Sequence, residues 1–278
     1  MDTQAPTQDR IRAGWEAVAP GFDEFVTPQT LRLAEDALRR IDLRPGMRLL
    51  DVGAGSGALA IPAARLGARV VAADIAPTMI ERLRDRAAGE GLSNLDGRVM
   101  DGQALEFEDG AFDVSASLNG VSLFPDMAGG LAELVRVTRP GGRVLVVAFG
   151  PLQKAEFLGF LVKAMQATVA GFAPPPVDPP PLPFQVADLE LLRGKLTGAG
   201  LTGVTVDTTT WEMRFESAAH FWNTFTSGNP VWRRLTGGLT SEQQADVRWT
   251  LTGMFRERSA GAPGAELHTE VNVGIGTK

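Results

Sequence analysis

A glycine loop beside an aspartate is the first feature of this sequence that could do chemistry. The loop Gly53-Ala54-Gly55-Ser56-Gly57 follows an apolar run and lies two residues after Asp51. Glycines at such a place let the backbone turn tightly and approach a ligand without a Cβ in the way. The spacing is G-x-G-x-G, whereas the dinucleotide fingerprint G-x-G-x-x-G would need glycine where Ala58 stands. The loop therefore predicts a ligand-binding turn between a strand and a helix.

Asp74 and Asp101 extend the pattern, because each also follows an apolar run. A carboxylate after the second strand can accept hydrogen bonds from both ribose hydroxyls of a nucleoside lying across the sheet edge. A carboxylate after the third strand can accept from the exocyclic amine of a purine. Each aspartate taken alone could equally cap the helix that follows it. Three acids after consecutive strands, beside a glycine loop, favour a nucleoside site.

The elements that position these side chains follow from a repeated pattern. Between about Arg48 and Gly150 the sequence repeats one unit, which is an apolar run followed by a segment of helical periodicity. Short runs rich in Val, Leu and Ala that alternate with helices are typical of parallel strands buried on both faces. The predicted strands are Arg48–Val52, Arg69–Ala73, Gly97–Met100, Phe112–Leu118 and Arg143–Phe149. The predicted fold class is α/β, a doubly wound and mostly parallel sheet with right-handed crossovers.

Helix signals lie between and before these strands. Pro77 suits an early helical position ahead of Thr78–Ala88. Asp126–Thr138 is a further predicted helix, which Pro140-Gly141-Gly142 ends by turning the chain into the next strand. Before the first strand we expect helix with a break at Pro20-Gly21.

The second half of the chain has a different sequence pattern. Lys154–Phe172 predicts an apolar helix, and seven prolines within residues 174–183 predict an extended spacer. A glycine-rich bend is expected between the last two helices. The remaining predicted helices are Asp188–Ala199, Ser217–Thr226 and Ser241–Arg258, and the remaining strands are Thr202–Arg214 and Glu266–Ile275.

Composition narrows the classes of function. The 278 residues include no cysteine, which excludes disulfides, thiolate metal sites and cysteine nucleophiles. A net charge of -6 argues against binding the phosphate backbone of nucleic acid. No apolar run reaches the roughly 20 residues of a membrane helix, and the N-terminus lacks a signal-peptide stretch. We expect a cytoplasmic protein whose partners are small molecules, with no nucleic acid and no membrane span.

Few side chains could act as a general base, because tyrosine is absent and there are only two histidines. A general-base mechanism must therefore use one of those histidines, a carboxylate, a rare lysine or the acidity of the substrate itself. His220, on a predicted helix of the second half, is the candidate base, and a merely packed or exposed histidine is the alternative. His268 lies on the last predicted strand, where we expect a structural role. Since no cluster of His, Asp and Glu has metal-ligand spacing, no metal is expected.

The stretch from about Trp15 to Gly150 resembles the class I S-adenosylmethionine-dependent methyltransferases. It is most similar to the type 11 branch, which includes the ubiquinone and menaquinone C-methyltransferases and their small-molecule relatives. The pieces that match in order are Leu50–Gly57, Asp74–Met79, Asp101–Gln103, Phe107–Asp113 and Val135–Gly142. The resemblance implies a seven-stranded Rossmann-like sheet with helical cover elements, S-adenosyl-L-methionine as cofactor, and in-line methyl transfer.

The resemblance also implies how the first two acids and the loop meet the cofactor. Gly53 and Gly55 would approach the methionine moiety, and Asp51 would hold it directly or through water. Asp74 would take the ribose hydroxyls.

The adenine and the acceptor would meet the next segments. Ile75 and Met79 would enclose the adenine, and Asp101 with the backbone of Gly102 and Gln103 would read its edge. Asn119-Gly120 would lie near the sulfonium and the acceptor.

Two positions depart from the pattern of the relatives. An aromatic hydroxyl is common where this chain has Phe22, so only ring packing against the cofactor is expected there. Alanine is common where this chain has Gly102, so we expect that turn to be more mobile.

Aromatic side chains in segments expected to face the cleft or its cover indicate an apolar or aromatic acceptor, of metabolite or natural-product type, although core packing is the alternative. The candidate substrate-binding residues are Trp15, Phe25, Phe124 and Trp222. O-, C- and N-methylation, the acceptor and the oligomeric state stay open. So do two rival functions, a catalytically silent cofactor-binding sensor or assembly protein and an NAD(P)-dependent oxidoreductase.

The expected organisation has four parts. They are an N-terminal helical cover (1–44), a cofactor-binding core (45–150), a helical and proline-rich insertion (151–184), and the last core elements (185–278) with an inserted helical lid at about 215–258.

Overall fold

Seven strands form one sheet in the computed structural model, which describes residues 8–278, and their order is β3-β2-β1-β4-β5-β7-β6. The strands are β1 (Arg48–Val52), β2 (Arg69–Asp74), β3 (Leu95–Val99), β4 (Phe112–Leu118), β5 (Thr138–Phe149), β6 (Thr202–Phe215) and β7 (Ala265–Thr277). Strands β1 to β5 pair in parallel, whereas β7 runs antiparallel to both of its neighbours. The predicted doubly wound, mostly parallel sheet is confirmed.

Helices cover both faces of this sheet. They are α1 (Gln8–Gly21), α2 (Thr27–Arg39), α3 (Ala60–Arg65), α4 (Pro77–Gly89), α5 (Met127–Val137), α6 (Glu156–Thr168), α7 (Leu189–Gly198), α8 (Ala218–Gly228), α9 (Pro230–Thr236) and α10 (Ser241–Arg258). Side-chain caps begin several of them: Asp126 accepts from the Gly129 N–H, and Asp188 accepts from the Leu191 N–H. The first seven residues of the expected N-terminal cover lie outside the described residues.

The central strands β1, β4 and β5 are buried on both faces, as their apolar runs predict, whereas the edge strands β3 and β6 keep exposed residues. Leu49 and Leu50 are both fully buried, yet they belong to different hydrophobic clusters. Leu145 and Val146 divide between the same two clusters in the same way. Because neighbouring side chains of a strand point to opposite faces, each of these central strands supports both layers of helices.

The predicted break at Pro20-Gly21 is wrong, because the helix continues through it. Pro20 lies inside α1, and Phe22–Val26 forms a π-helical turn that leads directly into α2. Proline lacks the N–H that would bond to the carbonyl of Glu16 one turn back, so the helix loses one backbone bond there and still continues.

Two further expectations need correction. The glycine-rich bend is preceded by a helix of its own, α9, whose start Asn229 caps by accepting from the N–H groups of Val231 and Trp232. The predicted turn Pro140-Gly141-Gly142 lies inside β5, where the pairing with β4 shifts register. The bulge, rather than a separate turn, reorients the chain after α5.

Strands β6 and β7 continue past the rest of the sheet. The pairing of β5 with β7 ends at Phe149 and Val271, whereas β6 and β7 stay paired as far as Phe215 and Ala265. Helices α8, α9 and α10 join these two strands, and α10 packs on α6. The extended ribbon therefore carries the helical cover beyond the carboxyl ends of β4 and β5.

Candidate functional site

The three predicted acids meet at the carboxyl edge of the sheet. Asp51 is the penultimate residue of β1, Asp74 ends β2, and Asp101 follows β3 by two residues. These strands are adjacent and parallel. The edge also receives the turn Asn119-Gly120, which follows β4 directly.

The glycine loop touches that turn. Gly53 has a φ of +70°, and a Cβ added to it would lie 3.0 Å from the Gly120 Cα. Gly55 has a φ of +54°, and its Cβ would lie 2.9 Å from Cε1 of Phe22. Any side chain at either position would be strained and would collide with a neighbour, which accounts for the glycines.

Asp74 ties the glycine loop to the start of α4. Its Oδ2 accepts from the Gly55 N–H at 2.9 Å, and its Oδ1 accepts from the Ala76 N–H at 2.9 Å. Burial raises the pKa of Asp74, and these N–H bonds act in the opposite direction. Each oxygen keeps a second lone pair, so the carboxylate can still accept two hydroxyl donors.

Asp51 lies beside the loop, with the backbone N–H of Ala60 near its carboxylate. It is 1% exposed, and neither of its carboxylate oxygens accepts a hydrogen bond of normal geometry from residues 8–278. Burial, reinforced by the nearby negative charge of Asp74, raises the pKa of Asp51 to about 7. A buried carboxylate without a partner is costly, so this position favours a ligand that brings a cation or a donor.

Asp101 is bonded from two directions. Its Oδ1 accepts from the Gln103 backbone N–H at 3.0 Å and from the Gln103 side chain at 3.2 Å. Its Oδ2 accepts from the side-chain amide of Gln8, the first described residue of α1. The N-terminal helix thus reaches the position expected to read the adenine edge.

Asn119 has a left-handed backbone, with a φ of +53°. Its N–H donates to the Val147 carbonyl at 2.8 Å, and its side-chain Oδ1 is buried without a partner in the described part of the chain. The neighbouring Gly120 has no room for a Cβ, which would lie 2.9 Å from the Val52 carbonyl oxygen. Strained non-glycine residues of this kind concentrate at functional sites.

The residues expected around the adenine lie partly under α1. Met79 is 1% exposed and clusters with Val18 and Ala19 of α1, whereas Ile75 is half-buried. Trp15 and Phe22 pack on this cluster. Their rings meet edge to face with centroids 6.0 Å apart.

Gly102 is not the loose turn that its type suggested. It is buried, and an added Cβ would lie 2.5 Å from Cε2 of Phe124 and 2.6 Å from Cγ1 of Val52. Phe124 therefore takes the space that a side chain at 102 would need. Its ring lies against the cofactor edge of the sheet, since a Cβ on Gly53 would be 3.9 Å from its Cε1.

The candidate base and two candidate substrate residues lie in the cover. The His220 ring contacts Phe25 and Phe215, with centroids 5.7 and 5.8 Å away. Its Nδ1 accepts from the Glu216 N–H at 3.3 Å, and no hydrogen bond of the described residues links it to the three acids. Trp222 is 5% exposed and belongs to the main hydrophobic core.

Two sets of hydrogen bonds at this edge were not predicted from the sequence. The hydroxyls of Thr27 and Ser56 are 2.6 Å apart and buried, so the start of α2 is bonded to the glycine loop. Ser117 Oγ donates to the Val52 carbonyl at 2.7 Å and accepts from the Val121 N–H, which fixes the turn after β4. Ser56 lies between two glycines of the loop, but Thr27, which it meets, is distant in sequence, as is Val52 from Ser117.

Within residues 8–278, no three or more His, Asp and Glu side chains gather as a possible metal site. Nor does that part of the chain contain a helix both long and apolar enough to cross a membrane.

Comparison with known proteins agrees with this geometry. Residues 50–146 match the Methyltransf_11 family, described as a methyltransferase domain. The chain is 38% identical over 139 residues to nocamycin O-methyltransferase of Saccharothrix syringae, covering 49% of this chain and 47% of that one. It is 36% identical over 137 residues to demethylmenaquinone methyltransferase of Corynebacterium glutamicum, covering 46% and 56%. The chain thus spans about half the length of the curated relatives that it matches.

The fold extends further than this sequence similarity. The crystal structure of the [4+2]-cyclase SpnF superposes with a TM-score of 0.61 at 17% identity, covering 99% of this chain and 97% of that one. At such identity the likeness concerns the fold alone.

Proposed function

We propose that this chain, whose residues 50–146 are a methyltransferase domain of the type 11 family, transfers a methyl group from S-adenosyl-L-methionine to a small molecule. The observation that carries the proposal is Asp51, a buried carboxylate with two unpartnered oxygens beside a glycine loop. The named relatives, an O-methyltransferase and a demethylmenaquinone methyltransferase, support the same reaction class.

The residues at this edge fit the proposed cofactor. Both oxygens of Asp51 lack donors, and the methionine part of the cofactor offers an ammonium and a sulfonium. Asp74 keeps a free lone pair on each oxygen for the two ribose hydroxyls. The residues proposed to hold the cofactor are Asp51, Gly53, Gly55, Asp74, Ile75, Met79, Asp101, Gly102, Gln103, Asn119, Gly120 and Phe22.

When bound, S-adenosyl-L-methionine supplies a methyl carbon that a sulfonium leaving group has already activated. The chain's own residues then have to orient the acceptor and exclude water. Asn119 suits the first task, because its unpartnered Oδ1 can accept a hydrogen bond from an acceptor hydroxyl or amine. The cover of α1, α8 and the β6–β7 ribbon suits the second.

The acceptor is proposed to be apolar or aromatic, and to bind between the carboxyl edge and the cover that includes the lid at about 215–258. Trp15, Phe25 and Phe124 are half-buried there and stay candidates for acceptor contact. The burial of Trp222 in the core argues instead for a structural role. A cytoplasmic location and the absence of a nucleic-acid partner also stay predictions.

Asp74→Ala tests the cofactor proposal. We expect S-adenosylhomocysteine to bind the wild-type protein, and the variant to bind it at least about tenfold more weakly because the ribose loses two acceptors. Calorimetric titration measures both affinities, and circular dichroism checks that the variant is folded. Asp96→Ala, at the exposed start of β3, is the matched control and should bind like wild type.

Either of two results would contradict the proposal: no binding of S-adenosylhomocysteine by the wild-type protein, or preferential binding of a nicotinamide dinucleotide. A catalytically silent binding protein would bind S-adenosylhomocysteine but methylate nothing in a broad panel of acceptors.

His220→Ala tests whether a side-chain base is used. The Nδ1 of His220, the ring nitrogen that holds the accepting lone pair when the proton is on Nε2, already accepts the Glu216 backbone N–H and is therefore not free to take a proton from an acceptor. We therefore expect turnover within about threefold of wild type across pH 6 to 9, measured with any acceptor that the panel identifies. A loss of about a hundredfold that follows the titration of an imidazole would restore His220 as the base.

A further inference from the structure

Helix α1 and the π turn Phe22–Val26 touch the places where the cofactor is proposed to lie. Gln8 donates to Asp101, the carboxylate proposed to read the adenine edge. Phe22 lies against Gly55 of the glycine loop. Met79 is covered by residues of α1. Each contact is made with a residue that is proposed to hold the cofactor.

Asp23 joins the π turn to α4. Its carboxylate is bonded to the Arg86 guanidinium, and its Oδ2 lies 3.6 Å from Arg82 Nη1. Arg86 also donates to the Asp23 carbonyl oxygen at 3.3 Å. The side chains of Asp23 and Arg86 are 23% and 25% exposed, so water and salt screen this pair less than a surface pair.

The helix is weakest next to this ion pair. Pro20 has no N–H to bond to the carbonyl one turn back, and the π turn follows within two residues. A bend at residues 20–26 therefore disrupts fewer regular helical bonds than a bend elsewhere in the segment.

Helix α2, on the other side of the bend, is anchored. Thr27 is bonded to Ser56 of the glycine loop. The Gln29 carbonyl accepts from Trp211 Nε1 at 2.8 Å, and the Gln29 side chain accepts from the Arg214 N–H at 2.9 Å. Motion about the π turn would therefore have to separate α1 from α4, α8 and α9, on which it packs, while α2 stayed in place.

We propose that α1 and the π turn form a gate over the cofactor site, and that the Asp23–Arg86 ion pair holds this gate shut in the free protein. The inference rests on the proposed function, since the cofactor is the ligand that the gate admits. The full burial of the Asp51 oxygens is consistent with a closed site. The measured affinity for the cofactor then equals the intrinsic affinity of the open form multiplied by the fraction of molecules that are open.

Hydrogen exchange of the free protein tests the gate without any ligand. In Asp23→Asn we expect the amides of α1 to exchange about tenfold faster than in wild type, while those of α2 and β1 are unchanged. Asp9→Asn is the matched control, because Asp9 pairs with Arg12 at the exposed surface of the same helix. Equal exchange of α1 in Asp23→Asn and wild type, or equal acceleration throughout the molecule, would overturn the gate.

Stopped-flow binding of S-adenosylhomocysteine provides the second readout. Asp23→Asn should associate about tenfold faster than wild type, whereas Asp9→Asn should not differ. Unchanged association in Asp23→Asn would overturn the gate. Accelerated exchange of α1 without any binding of S-adenosylhomocysteine would support the moving helix and contradict the proposed cofactor.

Discussion

Asp51→Asn is expected to change strongly how the stability of the free protein depends on pH. The pKa of Asp51 is raised from 3.8 to about 7 by burial and by Asp74. The folded state therefore holds a proton that the unfolded chain releases between these two pH values. Wild-type stability should fall across this window as pH rises, by about 4 kcal/mol from this residue.

The substitution removes that proton linkage. The free energy of unfolding of Asp51→Asn minus that of wild type should rise by about 4 kcal/mol between pH 4 and pH 8. Urea denaturation at several pH values measures this difference. Asp96→Asn, an exposed carboxylate paired with Arg98, should give a curve parallel to wild type. A curve parallel to wild type for Asp51→Asn would show that Asp51 is not buried and unpartnered.

The same residue should link cofactor binding to pH. An ionised Asp51 favours the ammonium and sulfonium of the proposed cofactor, whereas a protonated one does not. The affinity of the wild-type protein for S-adenosylhomocysteine, which keeps the ammonium, should fall up to about tenfold per pH unit below 7. Asp51→Asn should bind more weakly at pH 8 and should lack this dependence, as calorimetry across the range would show.

Gly102→Ala carries the second large effect, which concerns packing. Its new Cβ would lie about an ångström too close to both the Phe124 ring and Val52. Val52 is fully buried in β1. We expect a loss of about 2 kcal/mol in the free energy of unfolding.

A double-mutant cycle separates this collision from other effects of the added methyl group. Phe124→Leu shortens the opposing side chain, so Gly102→Ala should cost at least about 1 kcal/mol less in that background than alone. Gly159→Ala is the control, because a Cβ there meets nothing within 4 Å inside α6 and should be neutral or stabilising. Additive losses at positions 102 and 124 would contradict the packing described.

The sheet and the acidic edge were predictable because their signals are local. An apolar run such as Arg48–Val52 predicts both that the strand is buried and how long it is. An aspartate at the end of such a run must lie at the carboxyl edge of the sheet. Asp126 and Asp188 are also local signals, since each is the first residue of a predicted helix and caps that helix in the structure.

What the sequence did not reveal depends on contacts between distant segments. Pro20 predicted a break, but the packing of the flanking segments holds one helix through a π turn. Trp222 was predicted to contact the acceptor but lies in the core, because the apolar pattern of a helix does not show which segment its apolar face packs against. Gly102 suggested mobility, and only the position of Phe124, more than twenty residues away, shows that it makes room.

The place of β7 in the sheet has a consequence for the order of folding. It pairs with β5 and β6 on either side, although more than a hundred residues separate it from β5. Until β7 is synthesised, β6 has no partner and presents two open edges. The unpaired strand is a poor template for aggregation, because it exposes threonines and charged residues, among them Asp207 and Arg214. We expect closure of this half of the sheet to be the slow step of folding, because long-range strand pairing bears the largest loop-closure entropy.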